Sequence, residues 1–300
     1  MSQKPFVVIA NPAAGNGRGW SRVNGLLERL RRACIPLHVY RTERPGHAAE
    51  LARSAYRAGY RRFLGIGGDG TAFEILNGLF PDAAAAGAPE LALLPAGTGN
   101  SFLRDFTRQP ERDVIEAILQ GRARRCDVFQ LEHAGGTLFF INLLSLGFAA
   151  DVAAFRNRHF RRGGQLGYLV CLLACLARLR PQSFPLQADD EPTDARPCLF
   201  LSFNNSRFTG GKMLIAPMAD PADGLIEMVR WEPIGRLRLL WNLPGLYTGR
   251  HIHHRLASRR PARRITFLLE RRVNAMVDGE SLELQCRRLD VLPGALWLLV

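Results

Sequence analysis

Over its first ~125 residues the chain alternates short apolar runs with longer stretches of helical period. An apolar run too short for a helix, followed by an amphipathic helix and then another such run, is the pattern of crossover units that build a parallel sheet. Phe6–Ala10, Leu37–Arg41, 63–66 and 91–94 read as strands, with helices expected over 19–33 and 46–58. Each small-residue segment in this half follows a strand. All of them are therefore expected at the carboxyl edge of the sheet, where open α/β folds take their ligands.

Past residue 125 the rhythm changes. β-like runs at 128–131, 138–144, 199–203, 225–231, 264–269 and 272–277 are separated by turns rich in Gly, Pro, Asn and Asp, with helical patterns at 150–179 and 233–247. The fold class expected is α/β: an N-terminal parallel-sheet nucleotide domain over 1–125, and a mainly antiparallel β domain over 126–294. The last strand, 295–300, is expected to return to the first domain, and the active site to lie in the cleft between the two.

Hydrophobic residues make up 47% of the 300 residues and charged ones 22%, which excludes a disordered chain. No apolar run reaches the ~18–20 residues of a membrane-spanning helix; the longest, 166–179, is interrupted by Gly167 and Arg178. The opening MSQKPFVVIA lacks the apolar core of a secretory signal, so a cytoplasmic location is expected. The six cysteines form no C-x-x-C pair and read as small buried hydrophobes. The net charge of +13 suits an acidic partner, whether anionic lipid, nucleotide or nucleic acid.

The segment that carries most chemistry is Gly67-Gly68-Asp69-Gly70-Thr71, between a strand and a helix. Small residues there let backbone amides approach phosphate oxygens, and the helix dipole favours the anion. Asp69 would repel bare phosphate, so it makes sense acting through Mg²⁺ or orienting a water. The spacing is neither G-x-G-x-x-G nor G-x-x-x-x-G-K-[ST]. Two companion loops, residues 11–17 after the first strand and 95–100 after the fourth, complete a candidate triphosphate cradle. In the second half, Asp220 and Asp223 stand three apart at a turn, a set that suits Mg²⁺ or Ca²⁺ but equally an Asx-closed turn without an ion. Asp278-Gly279-Glu280 follows a strand. It offers a carboxylate to take an alcohol's proton, and it is also an ordinary hairpin-turn sequence.

NPAAGNG, GGDGT, LPAGTGNSF, FNNSRFTGGKMLIAPMADPADGLIEM and VDGE, in that order, resemble the diacylglycerol-kinase catalytic superfamily, with its bacterial lipid kinases and sphingosine and ceramide kinases. NAD kinases are distant relatives. The resemblance implies a lipid kinase that transfers the γ-phosphate of Mg·ATP to a lipid hydroxyl. It assigns ATP to Asn11, Gly15, Thr42, Gly67, Gly68, Asp69, Gly70, Thr71 and Thr98, although Thr42 also fits as a helix cap. It assigns a structural metal to Asp220, Asp223 and the carbonyl of Leu225, and the catalytic roles to Glu280, Asp278 and Asp69, with Glu280 favoured as base. Expected partners are ATP, the lipid and an anionic membrane touched peripherally at its inner face; nucleic acid is not among them, and a homodimer is left open. The alternatives are an NAD kinase, disfavoured by the AP-x-A-x-x-x-DG segment, and a non-catalytic nucleotide- or lipid-binding regulator.

The chain departs from its relatives at two positions. Phe73 stands where they usually have Asn, although Glu74 is present. Ser101 stands where many bacterial members have an Asp that organises magnesium, with Asp105 a helical turn away as a substitute. Phe148, Phe155, Phe160, Tyr168 and Leu169, interleaved with Arg156, Arg158, Arg161 and Arg162, read either as a membrane-resting helix or as a core helix with a solvated face. His251, His253 and His254 read as surface residues of an Arg-rich loop.

Overall fold

In the computed structural model, which describes residues 4–17, 19–96, 101–159, 164–210 and 212–300, Phe6–Ala10 lies between Leu37–Arg41 and Arg62–Gly67, and Glu90–Pro95 follows, all parallel. Every residue of Phe6–Ala10 is buried, because helices cover both faces of a sheet built by crossovers. The helices touch in pairs, Gly19–Arg32 with Pro110–Gln120 and His47–Arg57 with Asp69–Leu79. Gly78 permits the second pairing, since a Cβ there would stand 2.3 Å from the carbonyl oxygen of Ala49.

The 14-residue strand Cys286–Leu299 joins the two halves. Its end runs parallel to Glu90–Pro95, with Trp297 opposite Glu90, while most of its length pairs antiparallel with Ala123–His133. Arg264–Phe267 and Leu186–Ala188 continue the sheet outward, and Gly136–Phe140 pairs with Ala123–His133. A register shift between Leu292 and Leu296, around Pro293-Gly294, lets one strand serve both neighbourhoods.

A second sheet is wholly antiparallel, in the order Ala257–Ala262, Ile226–Trp231, Phe200–Asn204, Leu143–Gly147, Val273–Val277, Glu280–Leu284. Its strands alternate with period two. Leu144, Leu146, Leu201, Phe203, Ile226 and Met228 pack against Phe129 and Phe140 of the large sheet. Leu143, Phe200, Val229 and Trp231 face the other way, into a cluster with Phe148, Val152 and Leu239 from the covering helices. The chain is thus α/β, a sheet with a parallel N-terminal half followed by a separate antiparallel sheet packed on it.

Several elements differ from the sequence reading. The run 138–144 is two strands, Gly136–Phe140 and Leu143–Gly147, parted at Ile141-Asn142. The pattern 150–179 is two helices, Phe148–His159 and Gly164–Ala177, and 233–247 becomes Arg236–Asn242 and Gly245–Thr248, divided at Pro244, which cannot sit inside a helix. Ala257–Ala262 was hidden by its arginines and Pro261; it is an edge strand, where both are tolerated. His251 is buried rather than on the surface. Its ring packs near Trp231, and its Nε2 lies 2.9 Å from the carbonyl oxygen of Ile215.

Candidate active site

The parallel strands end together, and the first residues beyond them stay knitted to the sheet. The amide of Thr42 donates to Ala10 O (2.9 Å), that of Asn11 to Ile66 O (2.8 Å) and that of Ala96 to Gly67 O (2.9 Å). Asn11, Thr42 and Gly67 are thereby brought to one edge, with Gly15 nearby in the left-handed conformation its φ of 61° requires. Thr42 does not cap the following helix, whose N-cap is Gly46. Glu74 does that work instead, accepting from the amides of Gly46 (2.9 Å) and Ala48 (3.1 Å), a role the sequence did not reveal. Thr98 lies outside the described residues.

Gly67 ends a strand, Gly68 caps the helix Asp69–Leu79 in extended conformation, and Asp69 and Gly70 form its first turn. Space is tight at two of these glycines, at Gly67 against the whole Thr71 side chain and at Gly70 against only the tip of Glu280. A Cβ on Gly67 would stand 2.1 Å from Thr71 Oγ1, and one on Gly70 2.6 Å from Glu280 Oε1. The Thr71 hydroxyl is buried and receives a long hydrogen bond from Asn11 Nδ2 (3.4 Å), tying the first loop to the second. Burial pushes the Asp69 carboxyl up to about 6; the Glu280 charge pushes the same way, and the amide of Ser101 opposes both.

Asp278 and Gly279 form a two-residue hairpin turn between Val277 and Glu280, with φ of 47° and 89°. Positive φ at both central residues is the type I′ pattern that favours Asp-Gly. The Asp278 side chain turns inward to the gap between Gly136–Phe140 and Leu143–Gly147. Its Oδ2 accepts from the amide of Ile141 (3.0 Å), and its Oδ1 from those of Asn142 (2.9 Å) and Leu143 (3.0 Å). Burial pushes this carboxyl up to about 7 despite the three amides that favour its ionised form. Asp278 therefore closes the strand break, while Glu280, exposed at the start of the next strand, faces Gly70. Asp69, Asp278 and Asn142 line one small space of about 20 Å³ under the glycine loop.

The Asn-Asn-Ser segment after Phe200–Asn204 is equally structural. Asn205 Nδ2 donates to the carbonyls of Asp127 (2.9 Å) and Ile141 (2.8 Å), and Ser206 Oγ bonds Asn142 Oδ1 (2.5 Å). Asp105, the candidate substitute for the aspartate that Ser101 replaces, is engaged elsewhere. Its buried carboxylate is taken by Arg207, through the amide (2.8 Å) and Nε (2.5 Å). Asp220 and Asp223 sit on an exposed turn away from this cluster, each closing an Asx turn, to Ala222 N (3.1 Å) and Leu225 N (2.9 Å). Asp127 braces the turn through Gly224 N (2.7 Å). No group of three or more His, Cys, Asp or Glu with metal-binding geometry occurs among the described residues.

From Asp69, Ser101 and Asp278 a cavity of about 730 Å³ runs between the antiparallel sheet and its covering helices. Its walls are mainly apolar, with Val152, Leu172, Phe200, Ile215, Leu239 and Met276 among them. Phe148 and Arg156 line it too, so the start of the helix Phe148–His159 packs as a wall while Arg156 and Arg158 are exposed; Phe160, Arg161 and Arg162, and the side chains of Tyr168 and Leu169, lie outside the described residues. No helix among the described residues is long and apolar enough to cross a membrane.

Comparison with known proteins agrees with this geometry. Residues 5–131 match the diacylglycerol kinase catalytic domain, and residues 142–300 match the YegS C-terminal NAD kinase beta sandwich-like domain. The diacylglycerol kinase of Mycobacterium tuberculosis is 28% identical over 81% of this chain and 78% of its own. A Chromohalobacter salexigens protein that carries a YegS-like lipid kinase name is 31% identical over 73% of this chain and 72% of its own. A solved structure from Bacillus anthracis has the same fold, with a TM-score of 0.80 at 22% identity over 100% of this chain and 96% of that one. With both domain matches in sequence order, and with the glycine loop facing an acidic hairpin at the inner end of an apolar cavity, the chain belongs to the diacylglycerol kinase and YegS-like family of lipid kinases.

Proposed function

We propose that this lipid kinase transfers the γ-phosphate of Mg·ATP to the hydroxyl of a diacylglycerol-like lipid, with Glu280 as the base. The observation that carries the reading is the cavity, which joins a carboxylate cluster beside a glycine loop to a long apolar space. A diacylglycerol has that polarity, one hydroxyl on an apolar body. NAD, two nucleotides joined by a pyrophosphate, has no long aliphatic body to fill such a space.

The residues fit the donor. Asn11, Gly15, Thr42, Gly67 to Thr71 and, in this reading, Thr98 cradle the nucleotide at the sheet edge, where small side chains leave amides accessible. Burial and the Glu280 charge raise the cost of ionising Asp69, which a divalent cation would relieve, and the hard carboxylate oxygen of Asp69 suits Mg²⁺. Magnesium, when bound with ATP, neutralises charge on the phosphates during transfer. Glu280, exposed and opposite the loop, accepts the proton of the lipid hydroxyl. Asp278, with both oxygens occupied by amides, positions the hairpin that carries Glu280 and does no proton transfer. A second, structural ion belongs to the reading at Asp220, Asp223 and the Leu225 carbonyl. The Asx bonds engage one oxygen of each aspartate and leave the other for a cation.

The test is incubation of the pure protein with labelled ATP and magnesium, with diacylglycerol in mixed micelles, a lipid panel and NAD as acceptors. Label in a phospholipid product supports the proposal. Label in NADP, or binding without turnover, contradicts it in favour of an NAD kinase or a regulator.

A further inference from the structure

The helix Arg236–Asn242 is apolar on two opposite sides. Leu239 is buried and lines the cavity with Leu243 and Leu246. Leu237 and Trp241, four residues apart and so on one face, are 82% and 87% exposed. A helix covering a core should be polar on its outer side, and a Leu–Trp pair presented almost entirely to solvent has no folding role there. The pair sits at an opening. Leu240 and Tyr247 both line the cavity and are 36% and 58% exposed, so the cavity reaches the surface beside Leu237 and Trp241. Arg236, Arg238 and Arg250 are exposed around it, on a chain of net charge +13.

We propose that this helix and the turn after it form a membrane-docking edge, in which Leu237 and Trp241 enter an anionic bilayer while the flanking arginines meet lipid phosphates. A short element with Trp and Leu on one side and arginine around it suits the headgroup boundary, where each apolar side chain gains burial and each basic group an anionic partner. Continuity with the cavity selects a bilayer as the occupant. A lipid leaving the membrane at this edge would enter the apolar space directly, its hydroxyl leading toward Asp69 and Glu280, without crossing water. The inference rests on the lipid-kinase reading for its purpose but not for its measurement.

The experiment uses the full chain and vesicles of phosphatidylglycerol and phosphatidylcholine, scored by flotation, for the wild type and for Leu237→Ser with Trp241→Ser. The double variant should lose apparent vesicle affinity by about tenfold or more, since two apolar side chains no longer leave water. Trp241→Phe, which keeps an apolar ring, should retain most of it. Pure phosphatidylcholine vesicles should bind the wild type more weakly. Turnover of a short-chain diacylglycerol below its micelle concentration should be the same in the double variant as in the wild type, which shows the fold and site intact. If the double variant floats as well as the wild type, the docking edge is overturned whatever the enzyme's activity. Dimeric wild type and monomeric double variant in sedimentation, with flotation equal, would make the face a self-interface and also overturn it. If the wild type floats, the double variant does not, and neither phosphorylates any lipid, the docking edge stands and the proposed reaction fails.

Discussion

Glu280 packs against Gly70, its Oε1 only 2.6 Å from the point where a Cβ on that glycine would stand. The hairpin of the antiparallel sheet and the glycine loop of the parallel sheet are thus in contact at the carboxylate proposed to take the proton. Gly70→Ala should therefore move the tip of a flexible side chain and not the backbone. We expect thermal stability close to wild type, because a first-turn helix position favours Ala over Gly, and kcat lowered roughly tenfold or more by misplacement of the base. Normal kcat in a folded Gly70→Ala enzyme would separate Glu280 from the chemistry.

Asp278 makes its contribution through the backbone. Asparagine can offer one oxygen to the amides of Ile141, Asn142 and Leu143, but its Nδ2 would oppose another N–H. At about pH 3, below both the ordinary value of 3.8 and the value of about 7 to which burial pushes Asp278, the carboxyl is largely neutral folded and unfolded, so the comparison isolates the lost acceptor. Asp278→Asn should cost about 1–3 kcal/mol, a fall in Tm of several degrees measured by calorimetry. An unchanged Tm with a large loss of kcat would instead make Asp278 the base.

Asp69 predicts a pH effect of definite sign. Its folded pKa is raised to about 6 from 3.8, so between those values the folded state binds more protons than the unfolded one. Stability from this group therefore rises as pH falls through that window, and the ionised carboxylate is a cost at pH 7.5. Asp69→Asn removes the cost. Urea unfolding should show the variant more stable than wild type by about 1–3 kcal/mol at pH 7.5, with the difference shrinking toward pH 4, while phosphate transfer is lost. Equal stabilities at both pH values, or retained transfer, would contradict the role given to Asp69.

Metal removal tests the turn at Asp220 and Asp223. An ion held only by the folded state stabilises by mass action, so magnesium at 100 times its Kd adds about 2.7 kcal/mol. Chelation should lower Tm in the wild type but not in Asp223→Ala, assayed without nucleotide. If chelation leaves the wild-type Tm unchanged, the turn is closed by its Asx bonds alone.

Much of this arrangement was legible in the residues, and the exceptions share a cause. The fully buried Phe6–Ala10, the glycine turn at 67–71 and the Asp-Gly hairpin are local features whose residue types suit only a few backbone shapes. Asp105 was not legible as the partner of Arg207, 102 residues away, nor Glu74 as the cap of a helix 26 residues upstream, because both act through contacts that periodicity does not record. Asp278 was ambiguous for the same reason. The amides that fix its role lie more than 130 residues earlier, at a break that an apolar run had concealed. The helical pattern at 233–247 did not show that Leu237 and Trp241 face outward, because that depends on where the helix packs.

The most direct measurement is steady-state kinetics of Glu280→Gln on diacylglycerol in mixed micelles, with ATP binding by calorimetry on the same protein. General-base assistance is worth roughly 10²–10⁴ in rate, so kcat should fall by about that factor while ATP affinity and Tm stay at wild-type values. A kcat within tenfold of wild type would contradict the assignment and move the search for the base to Asp69.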